Sequence, residues 1–237
     1  MARRASGNPN LSLDAIVASA IEYVDERGLD ALTMRALANT MGVYPTALYW
    51  YVGSKSRLVS LAAAQLLGNL FIEREVDKTW QAWLIDTGRA MRVAMHRHPN
   101  FATVLGSQIA VDMTTATPFI EAVLGVLREA GFHEDDIVPA YNAYTGTVIG
   151  WVSVELSAEP QATGRDEHWQ VTFREQLESL SSIRFPNVSR SMPKLANQAF
   201  MTRWESGKSN PMDASYDFLL AALVAGFERS SARRYAI

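Results

Sequence analysis

Apolar residues near the start of the chain recur with the three- to four-residue period of an α-helix. They form one stripe on one helix face: Leu13, Ile16, Val17, Ala20, Ile21 and Val24. Ser12 can cap the start of this helix, and Gly28 can end it. The pattern therefore predicts an amphipathic helix between these two residues.

A second apolar pattern, within residues 33–55, predicts two short helices joined by a turn. The positions that would pack the pair together are Leu37, Met41, Val43, Leu48 and Tyr51. Ala38 is small where the two helices cross, and Gly42 lies at the turn, where glycine accepts a positive φ without steric cost. Thr33 suits the N-cap of the first helix, Pro45 the first turn of the second, and Ser54 the cap of a further helix from about Lys55.

Two helices around a glycine-containing turn are typical of the helix-turn-helix motif that reads DNA. With Leu48 and Tyr51 turned inward, the second helix directs a different set toward a major groove: Tyr44, Pro45, Thr46, Tyr49 and Trp50. Thr46 can contact a base edge, and Tyr49 and Lys55 can contact phosphates. Arg35 can reach a base edge or a phosphate. Arg3 and Arg4, in a polar N-terminal arm, add DNA contacts or form a disordered tail.

The remaining chain, here called the body, also has helical patterning, so we expect an all-α fold without strands. Helices are expected at about 58–70, 80–98, 119–130, 133–156, 169–180 and 214–229. Residues 157–168 are expected to form a loop, and residues 181–193 an irregular stretch. We divide the chain into residues 1–57, the head, and residues 58–237, an effector-binding and dimerisation domain.

Two features of the body suggest a homodimer. Residues 218–227 are ten apolar positions in succession, so their helix should be buried on every side. Gly146 and Gly150, four residues apart, allow another helix to approach closely. The alternative is tight packing of these glycines inside one chain.

Aromatic residues with a few polar neighbours in the body favour a small-molecule pocket, although core packing explains many of them equally well. The candidate ligand-binding residues are Trp83, Thr87, Met91, Phe101, Val104, Ser107, Gln108, Tyr141, Tyr144 and Trp151.

Composition excludes several other classes of protein. The chain has 237 residues, a net charge of −3 and no cysteine, which excludes disulfides and thiolate metal sites and fits a reducing cytoplasm. No apolar run is long enough to span a membrane, and the N-terminus lacks the apolar region of a secretory signal. His96 and His98 lie on different faces of a helix, and the residues from His133 to Asp136 suit a helix start, so we expect no metal site. No motif for a cofactor or a catalytic set is present.

The segment TMRALANTMGVYPTALYWYVGSK resembles the DNA-binding head of the tetracycline-repressor (TetR) family, strongly over about residues 12–70 and weakly beyond. The resemblance implies DNA contacts at Arg35, Tyr44, Pro45, Thr46, Tyr49, Trp50, Tyr51 and Lys55. It also implies a two-fold dimer that joins the helices near 134–156 and 214–229 of both chains and reads a palindromic operator on double-stranded DNA.

One departure from the family changes the expected effector. Members that bind a magnesium–tetracycline complex use a histidine and a glutamate, and this chain has Val104 and Val154 there, with Glu155 one position away. Because an aliphatic side chain cannot ligate magnesium, an apolar or aromatic effector without metal is expected. The leading interpretation is a ligand-responsive repressor, and the alternatives are an all-α enzyme or a protein-interaction module.

Overall fold

The computed structural model describes residues 11–68, 77–101, 113–156, 175–176, 179–195 and 212–232. Every regular element in these ranges is helical. The α-helices are α1 (Leu13–Arg27), α2 (Met34–Thr40), α3 (Pro45–Val52), α4 (Lys55–Gly68), α5 (Trp80–Arg97), α6 (Met113–Glu129), α7 (Ile137–Glu155), α8 (Pro186–Leu195) and α9 (Asp213–Ala232). A short 3₁₀ turn, Glu134–Asp136, precedes α7. The predicted all-α fold is confirmed for this part of the chain.

Local capping chemistry defines the helices of the head, as the sequence predicts. The hydroxyl of Ser12 accepts a hydrogen bond from the amide of Ala15 at 3.1 Å, and Thr33 caps α2 in the same way. Gly28 ends α1 with φ of 81°, and Gly42 occupies the turn between α2 and α3 with φ of 65°. Pro45 is the first residue of α3, where its missing N–H costs no hydrogen bond.

The packing of α3 differs from the prediction at one position. Leu48 is fully buried as expected, but the second inward side chain is Val52 and not Tyr51. Tyr51 is 44% exposed, and its hydroxyl donates a hydrogen bond to the Leu11 carbonyl at 3.0 Å. In an α-helix each residue is rotated by about 100° from the previous one, so a one-residue error in a short helix moves the side chain to another face.

The body is built around α5, which packs against α6, α7 and α9. Helix α4 joins the head to the body, because it packs against α1 on one side and α6 on the other. The buried core runs without interruption from α1 through α4 and α5 to α7 and α9. The predicted boundary between residues 57 and 58 falls inside the first turn of α4.

Two helix predictions in the body are wrong. Helix α6 begins at Met113 and not at Phe119, and it continues through Pro118. Residues 186–193, part of the stretch expected to be irregular, belong to α8, in which Pro186 occupies the favourable first position. The predicted loop at 157–168 and most of the predicted helix at 169–180 lie outside the described residues.

Helix α9 is also not buried on every side within one chain. Its inner face carries Tyr216, Leu220, Val224 and Phe227, all buried. On its outer face Phe218 is 76% exposed. The glycines of α7 likewise have space around them, since a methyl group added at Gly146 or Gly150 would meet no atom of another described helix within 4 Å.

In the described ranges, no helix combines the length and the apolar character required to cross a lipid bilayer.

Candidate DNA-reading face and effector helix

Helix α3 presents an exposed face of polar and aromatic side chains above a buried base. Leu48 and Val52 anchor the helix with no exposed surface. On the other side, Thr46, Tyr49 and Trp50 are exposed, and they are spaced at i, i+3 and i+4, which places them together. Trp50 is 90% exposed, an unusual position for a large aromatic side chain. Such a face suits contact with a large partner.

The other predicted DNA-contact residues lie around this face, and they differ in exposure and in the hydrogen bonds that they already make. Tyr44, the residue that precedes α3, is 82% exposed, and Arg35 on α2 is also exposed. Pro45 is half-buried at the start of α3. Lys55 is exposed, but its Nζ donates to the Leu29 carbonyl at 3.4 Å, a long hydrogen bond that a stronger acceptor can replace. The hydroxyl of Tyr51 already donates to the Leu11 carbonyl, so it is not available to donate to a phosphate while that bond persists.

On α5, three of the predicted ligand-binding residues form one buried line. Trp83, Thr87 and Met91 are each four residues apart and are at most 2% exposed. The Thr87 hydroxyl is buried, and among the described residues it has no hydrogen-bond partner. A buried hydroxyl without a partner is costly, so this position is suited to a group that supplies one.

The aromatic residues of α7 are buried or partly buried in the way that is usual for core residues. Tyr144 is fully buried, and its hydroxyl donates to the Leu84 carbonyl at 2.8 Å. Burial raises the pKa of Tyr144 well above its usual value, so this hydroxyl stays protonated as a donor. Tyr141 and Trp151 are partly buried, and the Trp151 ring lies 6.0 Å from the Tyr216 ring. Phe101, just after α5, is buried. Three further candidates, Val104, Ser107 and Gln108, lie outside the described residues.

An ion-pair cluster that the sequence did not predict joins α5, α7 and α9. Arg92 binds Glu155 through two hydrogen bonds, from Nη2 to Oε1 at 2.6 Å and from Nε to Oε2 at 2.9 Å. Its Nη1 lies 2.7 Å from Oδ1 of Asp213, and its guanidinium lies over the ring of Tyr216 at 5.1 Å from the centroid. Nε2 of His96 lies 3.4 Å from Oε2 of Glu155. The Arg92 and Glu155 side chains are only 13% and 4% exposed, so the pair is buried.

This cluster determines what Glu155 can do. Burial alone would raise the pKa of Glu155, but hydrogen bonds and charge from Arg92 and His96 outweigh it and lower the pKa to about 2. The carboxylate is therefore ionised and already neutralised by an arginine. A carboxylate held in this way is a poor ligand for a metal ion, and the aliphatic side chain of Val154 beside it has no ligand atom. Within the described ranges, no three His, Cys, Asp or Glu side chains come together as a metal-binding set.

A second set of contacts that the sequence did not predict joins the head to the body. Nδ1 of His98 lies 2.6 Å from Oδ2 of Asp25 on α1, and the Asn100 amide donates to the Val24 carbonyl at 2.8 Å. The partners are more than 70 residues apart in sequence, so no local pattern could have indicated them.

Family models match most of the chain. The model described as "Bacterial regulatory proteins, tetR family" matches residues 16–62, and "Tetracyclin repressor-like, C-terminal domain" matches residues 74–230. Together they cover the head and the body.

Individual relatives agree with these models. An HTH-type transcriptional regulator of Saccharopolyspora erythraea is 33% identical over 62% of this chain and 62% of its own length. The class C tetracycline repressor protein of Escherichia coli is 27% identical over 92% of this chain and 91% of its own. The crystal structure of the Streptomyces coelicolor TetR family protein ActR in complex with (S)-DNPA superposes with a TM-score of 0.75. It is 20% identical and covers 93% of this chain and 98% of that one.

Proposed function

Because the chain belongs to the tetracycline-repressor family of bacterial transcriptional regulators, we propose that it is a homodimeric repressor of transcription. Residues 1–57 read a palindromic operator, and residues 58–237 bind the partner chain and a small-molecule effector. Effector binding weakens operator binding because the effector favours a different separation of the two heads. Such a protein acts on DNA in the cytoplasm and catalyses no reaction.

The observation that carries the proposal is the exposed face of α3. Thr46, Tyr49 and Trp50 project from a helix whose opposite side is fixed in the head by Leu48 and Val52. A helix held in this way can enter a major groove as a rigid unit. Thr46 is the candidate for a base contact, and Tyr49 is the candidate for a phosphate contact.

Dimerisation is supported by two exposed faces built from small residues. On α7 the exposed face contains Pro139, Ala143, Gly146 and Gly150, opposite the buried Tyr144. On α9 the exposed residues include Ala214, Phe218, Ala221 and Ala222. Small residues let helix backbones approach closely, and Phe218 supplies a large apolar side chain that would be buried in the approach. We propose that the α7 and α9 helices of two chains form a four-helix interface, as in a two-fold dimer.

The proposed effector contacts α5 at Trp83, Thr87 and Met91. These residues offer an aromatic ring, a flexible apolar side chain and a hydroxyl that has no partner within the described residues. The combination suits a largely apolar or aromatic molecule with at least one polar group. Because Arg92 occupies both oxygens of Glu155, we propose that the effector binds without magnesium.

The operator is found by enrichment of a randomised DNA pool on the full chain, followed by sequencing of the bound fraction. We expect a palindrome whose binding is weakened about fivefold or more by Thr46→Ala or Tyr49→Ala, since one base or phosphate contact is worth about 1–3 kcal/mol. Glu22→Ala on the exposed side of α1 is the matched control and should bind normally. A pool without enrichment at low salt would contradict the proposal.

The dimer interface is tested by the mass of the protein in solution. Phe218→Glu places a charge on the proposed interface and should yield a monomer. Ile183→Glu is the control, because Ile183 is 93% exposed and lies on neither α7 nor α9. A dimer that survives Phe218→Glu unchanged would rule out this face.

A further inference from the structure

Helix α5 is bound to α9 along most of its length. The two helices run antiparallel, and polar contacts link them at three levels. Gln81 donates to Glu228 at 2.8 Å, Arg89 binds Asp217 at 2.9 Å, and Arg92 binds Asp213 at 2.7 Å. Between these levels, side chains of α9 contact the α5 backbone at Gly88. The Tyr216 hydroxyl donates to the Gly88 carbonyl at 2.7 Å, and a methyl group at Gly88 would lie 2.7 Å from Leu220. In the proposed dimer, α9 belongs to the interface, so α5 is part of the fixed scaffold.

The C-terminal end of this fixed helix holds the head. His98 caps α5, and its Nδ1 lies 2.6 Å from Oδ2 of Asp25, near the end of α1. The other carboxylate oxygen, Oδ1, is buried and has no hydrogen-bond partner within the described residues. His98 is therefore the group that holds this carboxylate. Both side chains are about a quarter exposed, at 27% and 26%, so water screens the contact only in part.

A second contact reinforces the first. The Asn100 amide donates to the carbonyl of Val24 at 2.8 Å. Val24 lies in the last turn of α1, and its carbonyl also accepts from the Gly28 amide at 2.8 Å. Asn100 is therefore a second donor to this carbonyl, at the helix end that carries partial negative charge. His98 and Asn100, two donors at the end of α5, thus bind the adjacent residues Asp25 and Val24 near the end of α1.

Helix α4 also supports the head. Helix α4 packs against α1 and against α6 of the body. The head therefore rests on α4 on one side and on the end of α5 on the other. If the effector moves α4 or α6, the contacts at the end of α5 are the fixed point about which the head turns.

From this arrangement we infer that the Asp25–His98 contact, supported by Asn100, is a latch that positions the head on the dimer scaffold and so sets the spacing of the two reading helices. The latch touches neither DNA nor effector, so His98 and Asp25 are positioning residues. The inference rests on the proposed dimeric, operator-binding function. It predicts that the latch matters for a palindrome, which requires both heads at a set distance, and does not matter for an isolated half-site.

The test compares binding to the selected palindrome with binding to one half-site, for the full-length protein. His98→Ala and Asp25→Ala should each weaken palindrome binding by about three- to thirtyfold, the usual range for residues that couple sites. Half-site binding should stay unchanged. The double variant should be no worse than either single variant, because both remove the same contact. The exchanged pair, Asp25→His with His98→Asp, should restore binding, and His133→Ala is the matched control on an exposed histidine outside the latch.

A second readout does not depend on the operator. Because the chain has no cysteine, Glu22→Cys places a single spin label on each head of the dimer. The distribution of distances between the two labels should be narrow in the parent protein, broad with His98→Ala and narrow again in the exchanged pair. An unchanged distribution, or equal losses on palindrome and half-site, would overturn the latch. Failure of the parent protein to select any palindrome would instead contradict the proposed function, and the label distances would still decide the latch.

Discussion

Replacement of Arg92 by methionine tests whether the buried ion pair behaves as its geometry indicates. Methionine keeps an unbranched apolar stem and removes the charge. Glu155, whose side chain is only 4% exposed, would lose its two strongest hydrogen bonds. Removal of one partner from a buried pair costs about 3–5 kcal/mol, because the remaining charge is left uncompensated. The contact with Asp213 adds little to this figure, since that carboxylate is 68% exposed.

Arg89 provides a control on the same helix. It binds Asp217 at 2.9 Å, but both side chains are 51% exposed, so Arg89→Met should cost at most about 1 kcal/mol. The free energy of unfolding is measured by urea titration at one protein concentration, because the stability of a dimer depends on concentration. Glu155→Gln in the Arg92→Met background should recover part of the loss by removal of the uncompensated charge. Equal costs for the two arginine variants would refute the reasoning.

Three further predictions concern other parts of the fold. Gly88→Ala should lower the free energy of unfolding by about 1–3 kcal/mol, because the new methyl group would lie 2.7 Å from the Leu220 side chain, which is only 1% exposed and has little room to move aside. Gly125→Ala is the control: the described residues leave open space around it, so it should stabilise α6 by up to about 1 kcal/mol in the same urea titration. Thr33→Ala removes the cap of α2 and should cost about 1 kcal/mol, seen as a lower melting temperature. Burial would raise the pKa of Glu155, but its cationic neighbours hold it at about 2, below the ordinary 4.5. The stability that the ionised carboxylate contributes is therefore complete above about pH 4.5 and is lost as the pH falls toward 2. The difference in unfolding free energy between the parent protein and Glu155→Gln should accordingly become smaller as the pH is lowered across this range.

Features fixed by neighbours in sequence could be predicted, and the caps are the clearest case. Ser12, Thr33 and Ser54 each accept a hydrogen bond from an amide three residues later, so their role is visible in the local sequence. Helix α5 was likewise predicted from its apolar periodicity. Helix α7 was predicted from the acidic residues before it, although these form a 3₁₀ turn and the α-helix begins only at Ile137. The short α3 was predicted, but its eight residues do not define the rotation of the helix well enough to distinguish Tyr51 from Val52.

Features that depend on contacts distant in sequence could not be predicted. Arg92 and Glu155 are 63 residues apart, and Asp25 and His98 are 73 apart. Each of these side chains alone resembles an ordinary charged residue on a helix surface. Proline and serine in residues 186–195 also concealed α8, because both are poor inside helices although proline is favourable at the first position.

Two tyrosine hydroxyls that donate hydrogen bonds to the α5 backbone determine how the protein can unfold locally. The Leu84 carbonyl accepts from Tyr144 on α7, and the Gly88 carbonyl, one turn later, accepts from Tyr216 on α9. If α5 opened by itself, two buried phenol groups would lose their partners at the same time. Local opening of α5 is therefore costly unless α7 and α9 open with it. The amides of these three helices should exchange with solvent deuterium as a single slow unit, while the short α2 and α3 remain free to open separately.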